Sequence, residues 1–228
     1  MAKEKDWVKN LIGGSVFYSA IAASREKNKK LFDATVAANN LLDKDLRPMH
    51  SEQMYMNYYK KTGEKKLYLK HVLTYANTDL MKVTDSEIAE QTSKKISAFE
   101  DAIKSGRIDT AKVGAKKLMK YRQELSNSVK YKLGMDLNNI AWEVFETVAD
   151  KAILADALKW VTRSLELCPN DSKPLDTYAN LLYRLGNKEK AIAAAEETLK
   201  YSDKANVEGY KYNEEILRKM KANEKTWK

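Results

Sequence analysis

A short motif repeats in this chain at a fixed distance. Ala157 and Leu158 recur as Ala191 and Ile192, and Leu165 recurs as Leu199, each 34 residues later. That period is the length of a helix–turn–helix unit stacking on copies of itself, because one unit alone cannot bury its apolar face. Such stacks build extended surfaces for partners more readily than catalytic pockets. The repeat therefore constrains both the fold and the class of function.

Composition agrees with an all-α chain. With only 3 Pro and 8 Gly among 228 residues, few points force a turn. No run alternates apolar and polar residues long enough to argue for a strand. The joints predict helices over 6–24 and 26–42, stopped by Asp43, Asp45 and Pro48. Ser51 then caps a helix through Lys60, and Gly63 turns it into a partner over 65–76. Thr84 with Glu87 reads as a capping box, in which each side chain satisfies a free backbone N–H at a helix start. That helix presents Ile88, Ile96, Phe99 and Ile103 and ends at Ser105-Gly106, and the next runs from Asp109 to about Gly134. Helices over 137–150 and 152–167 form one hairpin, and 175–185 and 188–201 form a second, turned at Gly186. A last helix over 207–223 carries Tyr212, Ile216 and Met220 on one stripe, as expected of a soluble terminal cap.

Cysteine and histidine exclude several chemistries. One cysteine, Cys168, allows no internal disulfide and no Cys-x-x-Cys motif, and it reads as a small buried hydrophobe. His50 and His71 have no ligand spacing, so neither a metal nor a cofactor is expected. Gly-x-Gly-x-x-Gly, the phosphate-binding loop, Gly-x-Ser-x-Gly and His-Glu-x-x-His are all missing. No catalytic residue is assigned. Near the start, residues 11–23 (LIGGSVFYSAIAA) form an apolar run too short to span a membrane. It reads as an amphipathic helix of a cytoplasmic protein, with Gly13-Gly14 permitting close packing. The alternative is a signal peptide over 1–23 that directs export to the periplasm.

The two C-terminal hairpins resemble the tetratricopeptide repeat, a superhelical partner-binding family. Ala152, Ala157 and Pro169 fit its pattern in the first unit, as do Gly186 and Ala191 in the second, while Asp203 replaces the closing Pro. Upstream turns at Gly63 and Gly106 stand 43 and 46 residues before the next turn and depart from the family period. The expected organisation is thus a stack of antiparallel hairpins, irregular over 1–135, with two regular repeats over 136–204 and a capping helix over 205–228. A narrower likeness joins Leu137-Asn138-Asn139-Ile140-Ala141-Trp142 and the following hairpins to the helical part of some bacterial thioredoxin-like proteins.

The tetratricopeptide likeness implies a concave groove lined by the first helix of each pair. The matching positions are Asn139, Trp142, Glu143 and Glu146, then Asp176, Thr177, Asn180, Tyr183 and Arg184. Asn180 agrees in type with a residue that some members use to hold a terminal carboxylate. Asp176 stands where those members place a lysine, and it would repel a carboxylate. Trp142 and Tyr183 are the candidate anchors, since aromatics offer large contact area at modest entropy cost.

Charge supplies a second candidate surface. The chain carries net +9, and residues 104–132 hold nine Lys/Arg against two acids. Lys112, Lys116 and Lys120 fall on one helix face, with Lys117 and Arg122 beside them. A stripe of this kind suits an acidic protein. Nucleic acid is the alternative partner, although no nucleic-acid motif accompanies the lysines. The resulting expectation is a non-enzymatic protein-interaction module that binds a peptide or helix. The alternatives are a nucleic-acid-binding accessory module and a helical appendage of a thioredoxin-like envelope system.

Overall fold

The computed structural model describes residues 2–42, 47 and 49–227, with side chains from residue 11 onward. All regular structure among them is helical: α1 (Ala2–Arg25), α2 (Lys29–Leu41), α3 (Ser51–Thr62), α4 (Lys65–Thr74), α5 (Asp85–Lys104), α6 (Thr110–Val113), α7 (Ala115–Thr147), α8 (Lys151–Leu167), α9 (Ser172–Arg184), α10 (Lys188–Tyr201) and α11 (Val207–Lys221). A π-helical turn, Tyr75–Leu80, follows α4 directly. The chain divides into two compact units, Met1–Asp79 and Leu80–Lys228. No described helix is long and apolar enough to cross a membrane.

In the first unit, α1 to α4 close around Phe32, Val36, Met54, Tyr58 and Tyr59, with Val16 and Ala23 of α1 in the same cluster. Phe32 stacks on Tyr58 at 4.1 Å between ring centroids. The three clustered tyrosines are mostly core residues: Tyr58 and Tyr59 are buried, and Tyr55 stacks on His71 at 4.4 Å. His71 is held by Glu52, its Nδ1 lying 2.7 Å from Oε2. His50, not Ser51, caps α3, with its ring nitrogen accepting from the Glu52 N–H. The Ser51 hydroxyl donates instead to the Asn40 side chain. Gly14 does not mark a close approach, because a Cβ built there meets nothing within 4 Å. The stop expected from Asp43, Asp45 and Pro48 lies outside the described residues.

The second unit begins with the capping box. Thr84 accepts from Glu87 N, and Glu87 reaches back to the Thr84 N–H. The helix after Asp109 is interrupted. Asp109 caps α6, four residues long, and Gly114 with φ +79° turns the chain into α7. From there α7 runs 33 residues without a break, about 50 Å. The expected stop at Gly134 is absent because that glycine is helical and serves packing: α8 crosses α7 there. The expected 137–150 helix is therefore the C-terminal half of α7. Beyond it, α8, α9, α10 and α11 each pack on the one before. Ala157 and Ala191, the pair that defines the 34-residue step, are both fully buried. Ala179, Ala191, Ala194 and Ala195 let α9 and α10 approach closely and share a core with Leu182, Ile216 and Met220.

Candidate functional site

The C-terminal half of α7, one face of α11 and the segment after α11 line a cavity of about 370 Å³ in the second unit. Trp142, Phe145 and Glu146 line it from α7, and Tyr212, Ile216 and Lys219 line it from α11. Lys225, Thr226 and Trp227 form the remaining wall. Helical spacing explains both α-helical walls. Residues 142, 145 and 146 share one face of α7, as do 212, 216 and 219 on α11.

Trp227 sits on an aromatic seat. Its ring meets Tyr183 edge-on at 6.2 Å. The Arg184 guanidinium lies 5.3 Å from the Trp227 ring and 5.6 Å from the Phe145 ring. The same guanidinium donates to the Phe145 carbonyl. Burial lowers the pKa of Arg184. A partly desolvated cation facing an indole is the geometry in which cation–π attraction is strongest.

Asp176 lies on α9 two turns before Arg184 and acts on the site through Tyr212. It remains partly accessible to solvent although it is densely surrounded by protein. Burial pushes its carboxyl up to about 7, against a smaller opposing pull from the Asn180 amide, which donates to Oδ1 at 2.9 Å. Tyr212 is raised as well, first by burial and then by the nearby Asp176 and Glu146 charges.

Four of the nine groove positions expected from the sequence meet this site directly. Trp142 and Glu146 line the cavity, and Tyr183 and Arg184 hold Trp227. Asp176 stands close enough to influence Tyr212. Thr177 and Asn180 are core residues: the Thr177 hydroxyl donates to the Lys173 carbonyl, and Asn180 is 0% exposed. Asn180 spends its amide on the Asp176 carbonyl and carboxylate, and its Oδ1 is buried without a partner. It is not turned toward a ligand carboxylate. Asn139 is exposed and Glu143 half-buried, and neither lines the cavity.

Sequence reasoning missed Phe145 as a seat residue and missed the whole contribution of α11 and the segment after it. A signal existed. Tyr178 and Leu182 recur 34 residues later as Tyr212 and Ile216, so the period continues into α11.

The basic segment is exposed, but Lys112 does not share a helix face with Lys116 and Lys120: it lies in α6, and the turn at Gly114 separates it from α7. Part of the charge is also matched locally. Lys112 pairs with Asp109 at 3.4 Å, Lys120 with Glu124 at 3.7 Å, and Arg122 with Glu100 of α5 at 3.2 Å. Lys117 lies over the Tyr121 ring, and Lys116 is solvent-exposed. Cys168 is buried, and burial followed by the Asp171 charge raises its thiol to about 11, far from the thiolate a nucleophile needs. Among the described residues no three His, Cys, Asp or Glu side chains gather to hold a metal.

Comparison with known protein families, with curated proteins and with solved structures gave no match.

Proposed function

We propose that the second unit is a non-enzymatic protein-interaction module that holds a partner's peptide or helix in the groove between α7, α9 and α11. The hairpins α7–α8 and α9–α10, with α11 beginning a third, are read as a tetratricopeptide-like stack whose first helices face the groove. The observation that carries this reading is the aromatic seat of Phe145, Tyr183 and Arg184 opening beside a 370 Å³ cavity. A seat of rigid aromatics around one arginine concentrates binding energy in a few contacts, as interaction hot spots do. Glu146 shares the cavity wall with Lys219 and Lys225, and Arg184 lies on the adjoining rings, so the groove is mixed in charge and selects a partner by shape and aromatic contact more than by net charge.

The test is affinity capture from the native host with intact protein, Trp142→Ala and Tyr183→Ala. Loss of the same captured partner with both variants, at unchanged helicity, supports the groove. Equal recovery from all three proteins refutes it.

A further inference from the structure

We infer that the groove has a built-in occupant, the chain's own segment over residues 224–227, and that the partner competes with it through an aromatic side chain of its own. The inference rests on the groove reading above and names the ligand chemistry of that same site.

The backbone dictates the return of this segment. After α11, Asn223 takes φ +60°, its N–H donates to the Met220 carbonyl at 3.3 Å, and the Glu224 N–H donates to the Lys219 carbonyl at 2.9 Å. This is the Schellman arrangement, which ends a helix and turns the chain back along it. Arg218 then clamps Glu224 with two contacts of 2.9 Å while also holding Glu215. The reversal carries Lys225, Thr226 and Trp227 to the cavity wall, where Trp227 meets Tyr183 and Arg184.

The fit is incomplete in a way that favours exchange. The Thr226 hydroxyl is buried with no hydrogen-bond partner, and the cavity beside it stays unfilled. A buried polar group left unpaired gives up its hydration without replacing it, which weakens the segment's hold on the groove. The clamp is also weak, since Arg218, Glu215 and Glu224 are roughly half exposed and solvent screens such pairs. A partner that presents an aromatic ring to Arg184 and satisfies the polar wall would displace the resident segment. A short tether holds its segment at an effective concentration on the order of millimolar, so a displaceable occupant needs only modest intrinsic affinity.

The test uses the full chain and a synthetic peptide, Ala-Asn-Glu-Lys-Thr-Trp, copying residues 222–227. Trp227→Ala protein should bind the peptide at least tenfold more tightly than intact protein, and Glu224→Gln should fall between them. The same peptide with Trp replaced by Ala should bind none of the three. Equal affinity for intact and Trp227→Ala protein overturns the inference, as does lack of binding to either at millimolar peptide. A second readout is fluorine NMR of fluorotryptophan-labelled protein, with the Trp227 signal assigned by Trp227→Phe. That signal should move when Tyr183 is replaced by Ala and move again when peptide is added, and a signal indifferent to both overturns the inference. Partner capture that depends on Trp142 and Tyr183 but ignores Trp227 would retain the groove and remove only its occupant.

Discussion

The Ser164 hydroxyl donates to the Gly134 carbonyl at 2.6 Å, joining α8 to the middle of α7 across 30 residues of chain. Glycine inside a helix costs about 1 kcal/mol relative to alanine, so its presence there needs a compensating contact. The compensation is proximity. A Cβ on Gly134 would lie 2.4 Å from Cys168 Sγ and 3.2 Å from Leu167 Cβ. Gly134→Ala should therefore destabilise the second unit by about 1–3 kcal/mol through overpacking, despite alanine's better helix propensity. Adding Cys168→Ala should recover part of the loss by removing the closest atom. Urea unfolding of both variants measures this, and a Gly134→Ala protein as stable as the parent would contradict the packing account.

Ala157 and Ala191 test the crossings that define the 34-residue step. Both are fully buried where the paired helices meet. An indole cannot fit at either position without separating those helices, so Ala157→Trp and Ala191→Trp should each cost at least about 1–3 kcal/mol. Thermal melts followed by circular dichroism would show the loss, and unchanged midpoints would mean that neither alanine stands at a tight crossing.

These glycines and alanines show which features a sequence reveals. The Thr84–Glu87 capping box is legible because it depends on chemistry within a few residues of sequence, and the burial of Ala157 and Ala191 because a small residue recurs at the 34-residue step. Gly134 reads as a helix end and is not one, since a stop and a tight crossing both select glycine and only the partner helix distinguishes them. Gly114, with φ +79°, is the real break and lies hidden in a lysine-rich stretch. The groove is half legible. Trp142, Glu146, Tyr183 and Arg184 are among the positions the tetratricopeptide likeness implies, whereas Trp227 joins them only through a chain reversal at Asn223. A non-glycine residue in the left-handed region is set by the turn it makes, and its own identity hints at this only weakly.

The basic segment offers a direct test of the alternative partner. Lys112, Lys120 and Arg122 each have an acid within 4 Å, so a phosphate contact by any of them competes with an existing pair. Binding to short duplex or single-stranded DNA should be weak and vanish by about 0.15 M salt. A steep, linear fall of log affinity with log salt, with Lys116→Glu abolishing binding, would instead establish nucleic acid as a ligand.

Asp176 sets a pH dependence whose sign follows from its environment. Its carboxyl is raised by burial from 3.8 in the unfolded chain to about 7 in the fold. Between those values the native state holds a proton that the unfolded state has released. Stability from this group therefore falls as pH rises from about 4 to about 7 and is level above that. Asp176→Asn keeps an acceptor for the Asn180 amide but has no charge to bury. Relative to the parent it should gain nothing near pH 3 and up to about 4 kcal/mol at pH 8, since each tenfold change in proton affinity is worth about 1.36 kcal/mol. Denaturation midpoints of the two proteins between pH 3 and pH 8 should diverge across that window, and parallel profiles would show that the Asp176 carboxyl titrates as it does in the unfolded chain.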